Sequence, residues 1–333
     1  PRSVNFVFVG TIGTPEATVG CTNSAANPVS PVPQKLVVDY TPVSINKPYI
    51  TIDDDGKYQL ITPMVARGAR GVQWDDTNAF HDGFERVFVA NNSTSVSEIN
   101  AKLAAGLHVV LAPGIYSLPE PIRIGRTASP YQVLLGLGLA TLVPVRGTAA
   151  IEVSAPGVRV AGILLEAGPM TSESLISVTV ESQHQEQDDG APNHILLADV
   201  FARVGGPGVD PETGLGQPVS ANAMMEINAD HVVVDNAWLW RADIANGKRS
   251  RDCNHSLVVK GRNVTAFGLA AEHTQSDNVV WAGEHGEVYF YQAELDGLAH
   301  QPIDHTPDFG QNGVSGYRVN ARSHYAMGIG VYC

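Results

Sequence analysis

The chain has 333 residues, 44% of them apolar and 17% charged, with 33 glycines and 21 prolines. This composition excludes a disordered chain, which lacks apolar side chains to bury, and favours a turn-rich β protein over long helices. A formal net charge of −13 repels phosphate backbones and anionic lipid, so neither nucleic acid nor a membrane is an expected partner. The longest apolar run, Val133–Val145, is broken by Gly136 and Gly138 and falls short of the roughly 18–20 residues that a membrane-spanning helix needs.

Residues 1–48 read as an extended segment: a strand over Val4–Val9, then a stretch rich in Pro, Ser, Thr and Asn from Gly20 to Pro33 that can bury little. The chain opens at Pro1 without Met or a leader-like pattern, and Cys333 follows the strand-like run Ala326–Tyr332, so both ends are expected to continue elsewhere. Three cysteines, Cys21, Cys253 and Cys333, lack the spacing of a zinc site and allow one disulfide or none. Tyr49–Pro63 reads as a hairpin around the acidic turn Asp53–Gly56, because two apolar runs flank a Gly-containing turn. One helix is expected over Ser93–Gly106, where Ser95 and Glu98 make a capping box, Ile99 and Leu103 share a face, and Gly106 ends it.

From His108 onward short alternating strands recur. Similar segments stand at Gly157–Ile163, His194–Val200, His231–Ala237, Asn263–Leu269 and Glu287–Gln292, and their first apolar residues, Val158, Ile195, Val232, Val264 and Val288, are spaced by 37, 37, 32 and 24. A constant strand with loops of varying length is the pattern of a parallel solenoid, whereas a sandwich would reverse direction about every 8–12 residues. The expected fold is therefore all-β, a right-handed parallel β-helix over residues 49–333 with a short N-terminal helix and an extended N-terminal segment.

In such a fold function sits where neighbouring strands stack outward side chains. Trp238 and Trp240 lie six and eight residues after Val232, Glu272 eight after Val264, and Glu294 six after Val288. These even offsets place all four on one face if alternation holds. Two carboxylates with tryptophans, Arg241 and Asp243 nearby compose a carbohydrate site, since indole faces stack on sugar rings and paired carboxylates perform glycosidic acid/base work. His273, Gln275 and Gln292 add hydrogen-bonding groups for sugar hydroxyls. No metal and no cofactor are expected: His194 and His231 open equivalent strands without partner ligands, Asp53–Asp55 lacks the Glu of a calcium loop, and Gly136–Ala140 lacks the third glycine and the helix of a dinucleotide site. Asn91, Asn92, Asn254 and Asn263 begin glycosylation triplets, a pattern common by chance.

Several stretches resemble glycoside hydrolase family 55: Pro113–Tyr116, Leu135–Pro144, Trp238–Asp243, Gly268–Thr274 and above all Val279–Leu295. The likeness runs from about Tyr40 to the end. It implies a secreted enzyme that removes sugar units from the non-reducing end of a neutral β-1,3-glucan with inversion. It further implies Glu294 as general acid, Glu272 as the carboxylate that activates water, and Trp240, Asp243 and Trp238 as sugar-binding residues, with Gln292 and His273 beside them. An upstream β-helix of the same parent chain is implied as the partner that completes the groove, connected through residues 1–48. The segment after the acid, Asp296–Leu298, departs from the Pro-Tyr-Asp of the family pattern. The alternative reading is a non-catalytic β-helical module that binds glycan without turning it over.

Overall fold

The computed structural model describes residues 6–14, 35–72, 78–125, 131–180, 193–205, 218–242, 251–295 and 313–332. Among them, regular structure is strand apart from helix α1 (Val96–Ala104) and a 3-10 turn at Phe84–Arg86. The helix forms as its sequence dictates: the Ser95 hydroxyl accepts the Glu98 N–H, Val96, Ile99 and Leu103 face inward, and Gly106 with φ +88° follows its end.

Eight strands precede it, the last being β8 (Val87–Ala90) of the main sheet. Strands β1 (Phe6–Val9) and β2 (Lys35–Val38) pair in parallel, while β3 (Thr41–Ile45) pairs antiparallel with β6 (Val65–Ala69). The expected hairpin is present as β4 (Tyr49–Ile52) and β5 (Tyr58–Pro63), with β7 (Ala79–Gly83) on its far side. Its turn is held by Asp53, whose carboxylate accepts the N–H groups of Asp55 and Lys57 and the Gln59 amide, and those bonds draw its pKa below the usual value. Antiparallel pairing thus spans residues 48 and 49, and parallel pairing in the main sheet starts at Val87.

Two parallel sheets make up the rest. The first runs in the order β8 (Val87–Ala90), β9 (His108–Leu111), β12 (Val133–Pro144), β14 (Arg159–Glu166), β16 (Ile195–Val204), β18 (Val232–Arg241), β20 (Thr265–Glu272), β22 (Gly286–Glu294) and β24 (His324–Tyr332), with β10 (Ile115–Leu118) also on β12. The second runs β11 (Ile122–Ile124), β13 (Ile151–Val153), β15 (Ser172–Val178), β17 (Val219–Ile227), β19 (Arg251–Val259), β21 (Val279–Trp281) and β23 (Arg318–Val319). From β11 on, the chain visits the sheets alternately. The five repeated segments of the sequence are β14, β16, β18, β20 and β22, successive neighbours in the first sheet. Their register corrects the spacing in one place. Thr265 lies opposite Glu287, so Val264 is level with Gly286 rather than Val288, and the last step is 22 residues instead of 24.

Six long strands of the first sheet, β14 to β24 in sheet order, each bend once at the same level. Gly162, Asp199, Asn236, Gly268, Phe290 and Gly328 form a column across six strands, all with φ between +50° and +70°. A left-handed residue interrupts the two-residue alternation. In β18, Val232 and Val234 point into the core before the bend, and Ala237 and Leu239 after it. The Gly136–Ala140 segment is a bulge inside β12, where the register moves from Leu135 opposite Ala161 to Ala140 opposite Ile163.

The bend divides the outward face in two. Ahead of it, Val133, Leu135, Leu196 and Val233 are buried under Val43, Ile45 and Leu60 of the N-terminal hairpins, a second core distinct from the one between the sheets. Beyond it no hairpin among the described residues covers the outward face, where Trp238 is 46% exposed while Glu272 is buried.

Candidate active site

Past the bend, outward side chains line up strand by strand. Glu166 of β14 lies opposite Arg203 of β16, Arg203 opposite Trp240, Trp240 opposite Glu272, Glu272 opposite Glu294, and Glu294 opposite Tyr332 of β24. Successive members of this row stand about 4.8 Å apart along the sheet. A parallel row two residues earlier sets Trp238 opposite Ala270, Ala270 opposite Gln292 and Gln292 opposite Gly330. Between the two rows Leu239, Ala271 and Ala293 fill the core. The strand pairing therefore brings together Trp238, Trp240, Glu272, Gln292 and Glu294 from three strands.

The two carboxylates differ in surroundings. Glu272 is buried, and its Oε2 accepts the indole N–H of Trp238 at 2.8 Å. The Trp238 and Trp240 rings stack with centroids 5.4 Å apart and planes 19° from parallel. Glu294 is half open, its side chain 47% exposed, with Oε2 3.4 Å from His273 Nε2 and Oε1 accepting the Gln292 amide at 3.4 Å. One carboxylate is thus sequestered under indole and the other faces solvent from the neighbouring strand.

Backbone contacts fix this arrangement from behind. His273, with φ +61°, donates its N–H to the Glu294 carbonyl at 2.8 Å, and its own carbonyl accepts from Arg241 Nη1 at 2.9 Å. Asn278 is fully buried and donates its amide to the carbonyls of Ala271 and Glu294 at 2.8 and 2.9 Å, tying the ends of β20 and β22 together. Its Oδ1 accepts from Thr274 Oγ1 and Thr274 N. Inside the same end of the core, burial, Tyr317 and the Glu272 charge push the Tyr291 phenol upward, and its hydroxyl donates to the Gly316 carbonyl.

Of the residues expected at the site, Glu272, Glu294, Trp238, Trp240, Gln292 and His273 are gathered here, and Asp243 lies outside the described residues. Trp238 has a part the sequence did not show, as the hydrogen-bond donor to Glu272. Three further features went unseen: the Asn278 clamp, the Glu166–Arg203 ion pair at 2.6 Å, and Tyr332 beside Glu294. The eight-residue offset that marked Trp240 and Glu272 also reaches Glu166 from Val158 and Arg203 from Ile195, so the signal was present in the spacing.

The other candidates sit elsewhere. His194 and His231 meet edge to face, with ring centroids 5.3 Å apart and planes at 65°, at the start of their strands, and His231 occupies a left-handed turn position. Cys253 is buried and free, its thiol pushed up to about 12 by burial, while Cys21 and Cys333 lie outside the described residues. No helix among the described residues is long and apolar enough to cross a membrane.

Residues 87–294 match the family model of the LAM55 pectate lyase-like domain. The chain is 34% identical to an exo-β-1,3-glucanase of Streptomyces sp. (strain SirexAA-E / ActE) over 314 residues, 91% of this chain and 48% of that protein. It spans about half the length of this curated relative. Among solved structures, sacteLam55A from Streptomyces sp. SirexAA-E superposes with a TM-score of 0.81 at 33% identity, covering 99% of this chain and 56% of that one. A glutamate-to-alanine variant of sacteLam55A in complex with glucose gives a TM-score of 0.82 at 32% identity over the same shares. The matched span takes in every strand that carries Trp238, Trp240, Glu272, Gln292 and Glu294, and the chain belongs to glycoside hydrolase family 55 through its LAM55 pectate lyase-like domain.

Proposed function

We propose that the protein is a secreted exo-acting hydrolase of β-1,3-glucan that works with inversion, and that its two alternating sheets are the wall of a right-handed parallel β-helix. One observation carries the reading: Glu272 and Glu294 stand opposite each other on adjacent strands with the stacked Trp238–Trp240 pair alongside. The similarity to the Streptomyces exo-β-1,3-glucanase supports the substrate class, and the glucose complex of sacteLam55A supports a carbohydrate ligand.

In this mechanism Glu294, the carboxyl open to solvent, gives its proton to the glycosidic oxygen as the bond to the anomeric carbon breaks. Glu272 takes a proton from the water that attacks the opposite face of the sugar, with Oε2 fixed by Trp238 so that the carboxylate does not turn away. The product then has inverted configuration, and each carboxyl ends with the charge the other began with. Room for the water requires a carboxyl separation of about 6.5–9.5 Å in the complex. Trp240, Trp238 and Asp243 hold the terminal sugar, an apolar face on indole and its hydroxyls on polar groups. His273 and Gln292 orient Glu294. A second β-helix, upstream in the same parent chain, completes the groove wall; the chain's 48% coverage of its relative supports that partner.

Product analysis on laminarin tests the reading, comparing the full-length protein with Glu294→Gln. Release of glucose with the α-anomer formed first, reduced about 10³-fold or more in the variant, is the expected result. Binding of laminarin without release would instead make the protein a glycan-binding module.

A further inference from the structure

The row of outward side chains does not stop at Glu294. On its far side from Glu272, Tyr332 of β24 lies directly opposite the acid. Its carbonyl accepts the Leu295 N–H at 2.9 Å, so the strand that carries it is fixed to the residue following Glu294. The ring lies back over Gly330: a methyl group placed on that glycine would meet Tyr332 Cε2 at 3.5 Å and the phenol oxygen at 3.7 Å. Gly330 in turn is opposite Gln292, whose amide reaches Glu294. An aromatic ring is thus laid along the sheet over a position with no side chain, one strand beyond the acid. The stacked tryptophans flank the carboxylate pair at the other end of the row.

We propose that Tyr332 is the stacking platform for the first sugar on the leaving-group side, and that the glucan therefore crosses the sheet from β18 toward β24 with its non-reducing end over the tryptophans. This assignment rests on the carboxylate-pair reading above. The direction follows from chemistry: the acid protonates the bridging oxygen, so the departing portion of the chain must lie beyond Glu294 as seen from Glu272. A strand spacing of about 4.8 Å is close to the width of a pyranose ring, so a sugar that follows the scissile bond arrives over β24. There the Tyr332 ring offers the apolar face that a pyranose stacks on.

The test compares two substrates in the full-length protein. Laminaritriose places sugars beyond the scissile bond, while β-glucosyl fluoride has a leaving group that reaches no further than the acid. Tyr332→Ala is expected to raise KM for laminaritriose about five- to tenfold, equivalent to about 1–1.4 kcal/mol, with a loss in kcat/KM at least fivefold greater than on the fluoride. Tyr332→Phe, which keeps the ring, is expected to recover most of that loss. Equal losses on both substrates, or a laminaritriose KM within twofold of wild type in Tyr332→Ala, would overturn the assignment. A wild-type protein that hydrolyses neither substrate would overturn the carboxylate-pair reading, a failure visible before any Tyr332 variant is measured.

Discussion

The hydrogen bond from Trp238 to Glu272 sets up the sharpest test of how the site works. Trp238→Phe removes the indole N–H and leaves an aromatic ring at a position 46% exposed, so the fold should tolerate it. What it takes away is a 2.8 Å bond to a carboxylate buried to 7% exposure. Hydrogen bonds to charged groups are worth about 1.5–3 kcal/mol. At about 1.36 kcal/mol per tenfold change in rate, the loss should be about 10- to 150-fold in kcat. KM should change much less, because the bond aims the base at water and touches no sugar hydroxyl. Steady-state hydrolysis of laminaritriose, followed by chromatography of released glucose, separates the two constants. A kcat within threefold of wild type would refute the idea that Trp238 holds Glu272 in position, and a change confined to KM would return Trp238 to a plain sugar-stacking role.

Three predictions concern stability. Phe290 is the bulkiest member of the left-handed column, with φ +66°, so Phe290→Gly should relieve about 1 kcal/mol of backbone strain and raise Tm in a thermal melt. Arg203 holds Glu166, whose side chain is only 3% exposed; Arg203→Met should cost about 2–3 kcal/mol in urea unfolding, since a buried carboxylate loses its cation. His108 is buried, its Nδ1 accepts the Val133 N–H, and desolvation holds its pKa below 6.5 despite Asp82 at 3.2 Å. The unfolded chain therefore takes up this proton first. The stabilisation is complete above pH 6.5 and is lost as pH falls below it, so Tm should drop from pH 7.5 to pH 5, and less steeply in His108→Gln.

Much of the fold was legible because burial imposes a pattern on sequence. The five repeated segments announced the first sheet, as Val and Ile must recur wherever a strand lines the core. The second sheet was harder to see: β13, β21 and β23 are only two or three residues long, too short for a periodic signal. The site was legible for a reason the alternation rule alone would have denied. Val232 points inward, and strict alternation would send Trp238 and Trp240, at even offsets from it, inward as well. The bend at Asn236 shifts the phase by one residue, so the same even offsets point outward. Glu294 was two residues out of register because Val288, not Gly286, looked like the start of its strand, although Gly286 is the residue level with Val264. Asn278 sits in a loop, where nothing periodic marks a side chain that reaches two backbone carbonyls.

The phase shift at the bend also bears on how such a surface changes over generations. Among the described residues, central strands of the first sheet such as β16 and β18 have inward residues, outward residues sealed beneath the hairpins, and outward residues past the bend that no hairpin covers. The first two sets are locked by packing, and a large-to-small change in either costs about 2–5 kcal/mol. The exposed members of the third set, Trp238 and Glu294, carry less of that constraint than the buried Glu272, so they can be exchanged with less effect on the framework that presents them. The open half of the sheet is in effect a printed surface on a fixed plate, and new specificities can be written there, or grafted by an engineer, without resetting the type beneath.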